Sequence, residues 1–197
     1  MEKLASGAES EILVIDNKSL KKIRLKKEYR HEQLDLKLRK SRTKREYKIL
    51  EKLSQREVNV PKPYSINLKE TSFNFEYLNG DVLKNELDEG KLINGFKEIC
   101  KLHSEEIVHG DLTTLNMMYA NNKVYLIDFG LSQFSSNVEE RGVDLNLFFT
   151  CIENEHPNFH YLKEDLLQIY KKELKEGKEV IKRLKEIEIR GRNKAKQ

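Results

Sequence analysis

Two short motifs with a fixed order and separation constrain this chain more than any other part of its sequence. Asp111 is followed by four residues and then Asn116, and eleven further residues lead to Asp128-Phe129-Gly130. Residues 123–127 predict a β-strand that delivers Asp128. Asp and Asn carry the oxygen ligands that magnesium prefers. The pattern predicts that Asp111 accepts a proton while Asn116 and Asp128 hold metal ions; the alternative, an unrelated turn and strand, does not account for the spacing.

This layout is typical of a kinase phosphoryl-transfer site, which also needs a lysine for the phosphates of ATP and a glutamate to position that lysine. Residues 42–54 predict a helix, and Glu46 shares its apolar side with Ile49, Leu50 and Leu53. A carboxylate on a buried side needs a cationic partner. Lys22, on a preceding predicted strand, is the expected partner; local pairing with Arg42 or Lys44 is the alternative.

The remaining ATP contacts follow by analogy with kinases. A glycine-rich loop normally covers the phosphates, but the turn after the first predicted strand contains one glycine, so this signal is weak on its own. Adenine is expected under the first strands and against the turn after Phe75. The expected nucleotide-binding residues are Ser6, Gly7, Ala8, Glu9, Lys22, Phe75, Glu76, Leu78 and Ile127.

The order of predicted elements indicates an α+β, two-lobed fold like a miniature protein kinase. Residues 1–78 form an antiparallel-sheet N-lobe, with further strands near 64–68 and 72–77. Residues 79–197 form a reduced, mostly helical C-lobe that includes a helix over 91–106. Only thirteen residues separate Gly130 from Asp144 and no Ala-Pro-Glu occurs, so the platform on which protein kinases hold peptides is reduced.

The net charge of +4 is unevenly distributed along the sequence. Residues 21–48 hold 13 Lys/Arg against 4 Asp/Glu, and residues 182–197 hold 7 against 2. Such segments indicate contact with a polyanion, although solvated helix faces are the alternative. With two cysteines, no CxxC pair and no long apolar run, the chain is expected to be cytoplasmic and to have no membrane contact.

Taken together, the motifs resemble the small atypical Ser/Thr kinase/ATPase subunit of the KEOPS tRNA-modification complex, a relative of RIO kinases. The Thr-Thr pair after Asp111-Leu112 is the most specific mark, and Leu115 departs from the small polar residue common there. The matching segments are Gly7-Ala8-Glu9, Lys22-Ile23-Arg24, Tyr29-Arg30-His31, Arg42-Thr43 with Glu46, His109-Gly110-Asp111-Leu112-Thr113-Thr114, Asp128-Phe129-Gly130-Leu131-Ser132, Gly142-Val143-Asp144 and Arg190-Gly191-Arg192.

This resemblance implies ATP and Mg²⁺ as cofactors and an ATPase or restricted kinase activity, with Asp111, Lys22 and Glu46 as the catalytic set. The implied partners are the large subunit that transfers threonylcarbamoyl to adenosine in tRNA, other KEOPS subunits, and tRNA itself. Two other functions stay open: an autonomous RIO-like Ser/Thr kinase or small-molecule phosphotransferase, and a non-catalytic tRNA-binding scaffold. The shortened segment after Gly130 disfavours the first, and the complete phosphate-handling set disfavours the second.

The C-terminal end is basic, is interrupted by Gly191 and lacks an apolar stripe. Residues 190–197 are therefore expected to stay off the core as a mobile tail that becomes ordered on the large subunit or tRNA. The expected RNA contacts are Arg190, Arg192, Lys194 and Lys196.

Overall fold

The computed structural model describes the backbone of residues 2–7 and 9–194, and the side chains of those residues up to Gly191. It divides the chain into two compact units, Met1–Asn79 and Gly80–Gln197. The α+β class and the sheet-containing N-terminal part agree with the sequence prediction. Within the described residues, no helix is both long and apolar enough to cross a membrane.

The N-terminal unit is a five-stranded antiparallel sheet with one long helix. The strand order is β1-β2-β3-β5-β4, and the helix, α1, contacts β4 and β5. Alternate residues of the central strand β3 are buried, which places Lys22 and Arg24 on the same face of the sheet. The elements are β1 (Glu2–Ser6), β2 (Ser10–Val14), β3 (Ser19–Arg24), α1 (Glu32–Ser54), β4 (Pro63–Asn67) and β5 (Ser72–Glu76).

Helix α1 begins ten residues before the predicted start at residue 42. Leu34, Leu36 and Leu38 alternate with polar residues, which hid the helical period from the sequence analysis. The early turns are supported by a salt bridge between Asp35 and Arg39, four residues apart, with Nε and Oδ2 at 2.7 Å. The apolar side that the sequence identified is buried as expected, at Ile49, Leu50 and Leu53.

The C-terminal unit combines two small sheets with three long helices and a shorter one. The sheets have the orders β6-β8-β9 and β10-β7, and Phe96 of α2 packs against Phe148, Phe149 and Tyr170 in the helical core. The elements are β6 (Asp81–Val82), α2 (Glu89–Ser104), β7 (Ile107–Val108), β8 (Met117–Ala120), β9 (Lys123–Leu126), β10 (Gln133–Phe134), α3 (Val138–Glu155), α4 (Lys163–Glu173) and α5 (Gly177–Lys194).

The expectation of a loose tail over residues 190–197 is wrong for the backbone of residues 190–194, which is helical, whereas Arg190 and Gly191 are exposed, as expected of a segment that stays off the core. Helix α5 continues to Lys194, because one glycine in a helix costs only about 1 kcal/mol and nothing else there stops it. The Arg190 guanidinium lies 2.8 Å from the Glu139 carboxylate of α3. The side chains of Arg192 and Lys194, and Lys196 altogether, lie outside the described residues, so their proposed contact with RNA stays a prediction.

Candidate active site

In the N-terminal unit, a buried carboxylate binds two cations from β3. Glu46 Oε1 accepts a hydrogen bond from Lys22 Nζ at 2.7 Å, and Glu46 Oε2 accepts one from Arg24. The exposed side-chain fractions are 2% for Glu46, 5% for Lys22 and 4% for Arg24. The predicted Lys22–Glu46 pair is therefore present, with Arg24 as a second partner that the sequence analysis missed. The local alternative for Glu46 is wrong, because Arg42 binds Glu9 instead.

Between β1 and β2, the Gly7 N–H donates to the Ser10 carbonyl at 2.9 Å. Glu9 binds Arg42 and lies 3.7 Å from Arg24. The hydrogen bond from Arg42 and the nearby Arg24 and Arg30 outweigh burial and hold the pKa of Glu9 below its ordinary value. Ala8, another expected nucleotide contact, lies outside the described residues.

The residues expected to hold adenine lie at the end of β5. The Phe75 ring is half-buried, 5.5 Å from the ring of Phe73, and Leu78 is buried. The Glu76 N–H donates to the Lys62 carbonyl at 2.9 Å, so Glu76 could offer adenine only its carbonyl oxygen. The adenine contacts stay a prediction.

In the C-terminal unit, the side chain of Asn116 is hydrogen-bonded to Asp111. The Asn116 side-chain amide donates to the Asp111 carbonyl at 2.7 Å and to Asp111 Oδ2 at 2.9 Å. A short 3₁₀ turn, Thr114–Asn116, sets this geometry. Because the Asn116 amide nitrogen faces Asp111, Asn116 Oδ1 is left as an acceptor that can bind a cation. The Asp111 side chain is exposed, so its carboxylate can reach an incoming hydroxyl or water.

Strand pairing brings Asp128 close to Asn116. Met117 of β8 pairs with Leu126 of β9, and the Ile127 N–H donates to the Asn116 carbonyl at 2.9 Å. Asp128 follows directly with φ 56° and ψ 72°, and its carboxylate accepts a hydrogen bond from the Gly130 N–H at 3.2 Å. A left-handed backbone at a residue other than glycine costs on the order of 1–3 kcal/mol and is concentrated at functional sites.

These side chains fit Mg²⁺ bound together with phosphates. Among the residues that the structure describes, no three or more His, Cys, Asp or Glu side chains form a group that could hold a metal alone. Magnesium usually takes one or two carboxylates, with substrate phosphates and water completing its octahedron. Asp128 and Asn116 Oδ1 match that requirement in type, and the hydrogen bond between Ile127 and Asn116 places their backbones side by side.

The buried Asp144 side chain holds the backbone of His109 and Gly110, directly before Asp111. The sequence motifs did not indicate this role. Asp144 Oδ2 accepts a hydrogen bond from the His109 N–H at 2.5 Å, and its Oδ1 accepts one from the Gly110 N–H at 2.8 Å. His103 Nε2 lies 3.3 Å from Asp144 Oδ2. Burial alone would raise the pKa of Asp144, but the hydrogen bonds from His103 and from the His109 N–H lower it, so Asp144 is held as a carboxylate.

The backbone and imidazole next to Asp144 are equally constrained. Gly110 has φ +79°, and a Cβ there would lie 2.8 Å from the Leu131 carbonyl oxygen, so only glycine fits. The His109 ring packs against Phe129, and its Nε2 lies 3.0 Å from the Ile127 carbonyl oxygen. Burial lowers the pKa of His109, so the neutral ring donates its Nε2 proton to Ile127.

Contacts from Lys84, Glu155 and His156 fix the turn that carries Asn116. The Lys84 N–H donates to the Thr114 carbonyl at 3.2 Å, and Lys84 Nζ lies 2.8 Å from Glu155 Oε1. Thr114 Oγ1 donates to Glu155 Oε2 at 3.4 Å and lies 3.2 Å from His156 Nε2. The sequence drew attention to Thr113 and Thr114, but the partners of Thr114 at the end of α3 are too distant along the chain to be found from a local motif.

The fold and these side chains define a protein of the protein-kinase-like class. The sequence matches the RIO domain family over residues 10–143, so the chain belongs to that family of atypical kinases. The fold agrees, because the structure superposes on the Rio2 kinase of Chaetomium thermophilum, solved as an ADP/Mg²⁺-phosphoaspartate complex. That likeness has a TM-score of 0.63 at 14% identity and covers 97% of this chain and 70% of the other.

Relatives with higher identity share nearly the full length of the chain. It is 38% identical to the KEOPS complex subunit Bud32 of Pyrococcus abyssi, over 98% of this chain and 96% of that protein. It is 35% identical to a probable serine/threonine-protein kinase, a BUD32 homolog, of Archaeoglobus fulgidus, over 96% and 95%. A probable bifunctional tRNA threonylcarbamoyladenosine biosynthesis protein of Methanocorpusculum labreanum is 40% identical over 94% of this chain and 35% of its own length.

Proposed function

We propose that this protein is an ATP-hydrolysing atypical kinase subunit that supports threonylcarbamoyladenosine modification of tRNA within a KEOPS-type assembly. The observation that carries the proposal is the near-full-length similarity to a KEOPS subunit in a chain that retains all five phosphate-handling residues. These residues are Lys22, Glu46, Asp111, Asn116 and Asp128. The partners would be the large threonylcarbamoyl-transferase subunit, other subunits of the assembly, and tRNA.

Each residue has a role that follows from its surroundings. Lys22, held by Glu46, would bind the α- and β-phosphates of ATP, and Arg24 fixes the Glu46 carboxylate from its other side. Asp111 would accept the proton of the attacking hydroxyl or orient a water, and Asn116 holds the Asp111 carboxylate in place. Bound Mg²⁺ would neutralise charge on the phosphates, with Asp128 and Asn116 Oδ1 as its protein ligands.

The short segment after Gly130 favours a supporting subunit over an autonomous protein kinase. Helix α3 begins at Val138, so Leu131–Asn137 are the seven residues available between Gly130 and the helix. Two of these seven, Gln133 and Phe134, pair with β7. This leaves little chain to form a platform for peptide substrates, which agrees with the absence of Ala-Pro-Glu.

The test is ATP turnover by the purified chain, with and without the large subunit and tRNA, following phosphate into water and into protein. We expect slow release by the chain alone, and faster release into water when the large subunit and tRNA are both present. Efficient phosphorylation of added protein substrates by the chain alone would instead identify an autonomous kinase. No nucleotide turnover under any condition would reject the proposal.

The metal role of Asp128 can be tested with Asp128→Asn. Asparagine tolerates the left-handed backbone and can still accept the Gly130 N–H, so the change removes charge with little strain. Loss of a residue that only supports a metal ligand typically weakens metal binding by about tenfold or more. Because Asp128 would bind the metal directly, the affinity for Mg²⁺ should fall by at least that factor. Magnesium titrations of nucleotide binding measure this, and an unchanged midpoint would remove Asp128 from the metal site.

A further inference from the structure

The outward face of α1 carries a row of four exposed lysines: Lys37, Lys40, Lys44 and Lys48. We call this row the lysine stripe. At 3.6 residues per turn, the spacings of three, four and four residues keep the four side chains within about 80° of one another around the helix. At a rise of 1.5 Å per residue, the stripe is about 16 Å long. It is therefore a straight line of positive charge on a rigid element.

Along its length the stripe has no compensating carboxylate on α1; the exposed Glu51 lies on the same face, but one turn beyond Lys48 at the end of the stripe. Between Lys37 and Lys48 the sequence has one acidic residue, Glu46, which is buried and already bound to Lys22 and Arg24. At the start of the helix, Asp35 is buried and paired with Arg39. In the described part of the chain, none of the four lysines makes an ion pair. Like charges three or four residues apart destabilise a helix, so a bound anion would stabilise the bare stripe.

We propose that the lysine stripe binds the phosphate backbone of RNA. The stripe presents one ammonium per about 4.5–6 Å of helix axis, which suits a strand with a charge on every nucleotide. Lysine ammonium groups are mobile point charges that hold phosphates without reading bases. The choice of tRNA as the RNA rests on the proposed function. The charge distribution of the stripe is an observation that is independent of that function.

The surroundings of the stripe favour a nucleic acid over a membrane or a protein. The apolar side chains Ile49, Leu50 and Leu53 are buried in the core, so α1 has no apolar face to insert into a bilayer. Protein interfaces are built around an apolar centre. Within the described residues, the one large exposed apolar side chain of α1 is Leu34, beyond the end of the stripe.

The test compares tRNA binding by the full chain, alone and with the large subunit, at several salt concentrations. The stripe variant changes all four lysines to glutamine, a residue that keeps helix propensity high. The matched control changes four other exposed lysines that also lack ion pairs in the described structure, so that the net charge falls equally. The control positions are Lys69, Lys123, Lys175 and Lys178.

We expect the stripe variant to bind tRNA at least about tenfold more weakly near 0.1 M salt. The slope of log affinity against log salt should shrink by about 0.7–0.9 for each phosphate that the variant no longer binds, while the control stays near wild type. Basal ATP turnover should be unchanged, which separates failure of the stripe from failure of the proposed function. The proposal would be overturned if both variants bound tRNA equally weakly, or if the wild-type chain bound no tRNA either alone or with the large subunit. It would also be overturned if the stripe variant lost only its binding to the large subunit.

Discussion

Replacing Asp111 with alanine is expected to lower ATP turnover by about 10²- to 10⁴-fold, the usual contribution of a positioned general base. Nucleotide binding should stay near wild type, because the Asp111 side chain is exposed and its backbone carbonyl still accepts the Asn116 amide. Folding stability should also change little. The measurements are steady-state turnover, nucleotide affinity by calorimetry, and thermal unfolding of the same preparation.

Two further variants make the Asp111 result specific. Asp111→Asn keeps an oxygen that can accept the Asn116 amide but cannot take a proton, so its turnover should fall almost as far as in the alanine variant. Asp165→Ala removes an exposed carboxylate from α4 and should leave turnover unchanged. Turnover by Asp111→Ala within twofold of wild type would end the assignment of Asp111 as the base.

The site residues that sequence could identify are those fixed by short-range geometry. The spacing from Asp111 to Asn116 fits a single turn, and strand β9 delivers Asp128 beside it, so local pattern was enough to predict this group. The Lys22–Glu46 pair could be predicted from the sequence for another reason. A carboxylate on the apolar side of a helix requires a buried cation, and Lys22 lay on a nearby predicted strand.

The roles of two site residues, Arg24 and Asp144, and two helical segments were not predicted from the sequence. Most of them depend on contacts between distant parts of the chain, and one helical segment has a sequence pattern typical of a strand. Arg24 could have been found, because residues two apart on a strand share a face and Lys22 was already placed. Asp144 could not, since its bonds to His109 and Gly110 join segments more than thirty residues apart. The early turns of α1 were hidden by leucines in alternation, and the helical end of α5 rests partly on the distant pairing of Arg190 with Glu139.

The buried Lys22–Glu46–Arg24 cluster leads to the largest expected effect on stability. Glu46→Ala would remove the buried carboxylate that Lys22 and Arg24 share. Each cation is no more than 5% exposed, and Arg24 would be left with the more exposed Glu9 at 3.7 Å. Removing one partner from a buried ion pair typically costs 3–5 kcal/mol, so the free energy of unfolding should fall by about that amount. Denaturant unfolding measures this, with Glu11→Ala, which removes a half-buried carboxylate paired to an exposed lysine, as the control.

Glu46→Ala should also abolish turnover, but unfolding alone could explain that result, so a charge-free version of the cluster is needed. The combined change Lys22→Met, Arg24→Leu and Glu46→Leu replaces all three charges with apolar groups of similar size. Such replacements are often neutral or stabilising, so stability should return to within about 2 kcal/mol of wild type. Turnover should stay absent, because no ammonium remains to hold the phosphates. A stable triple variant that hydrolyses ATP at the wild-type rate would show that the cluster serves folding and not phosphate binding.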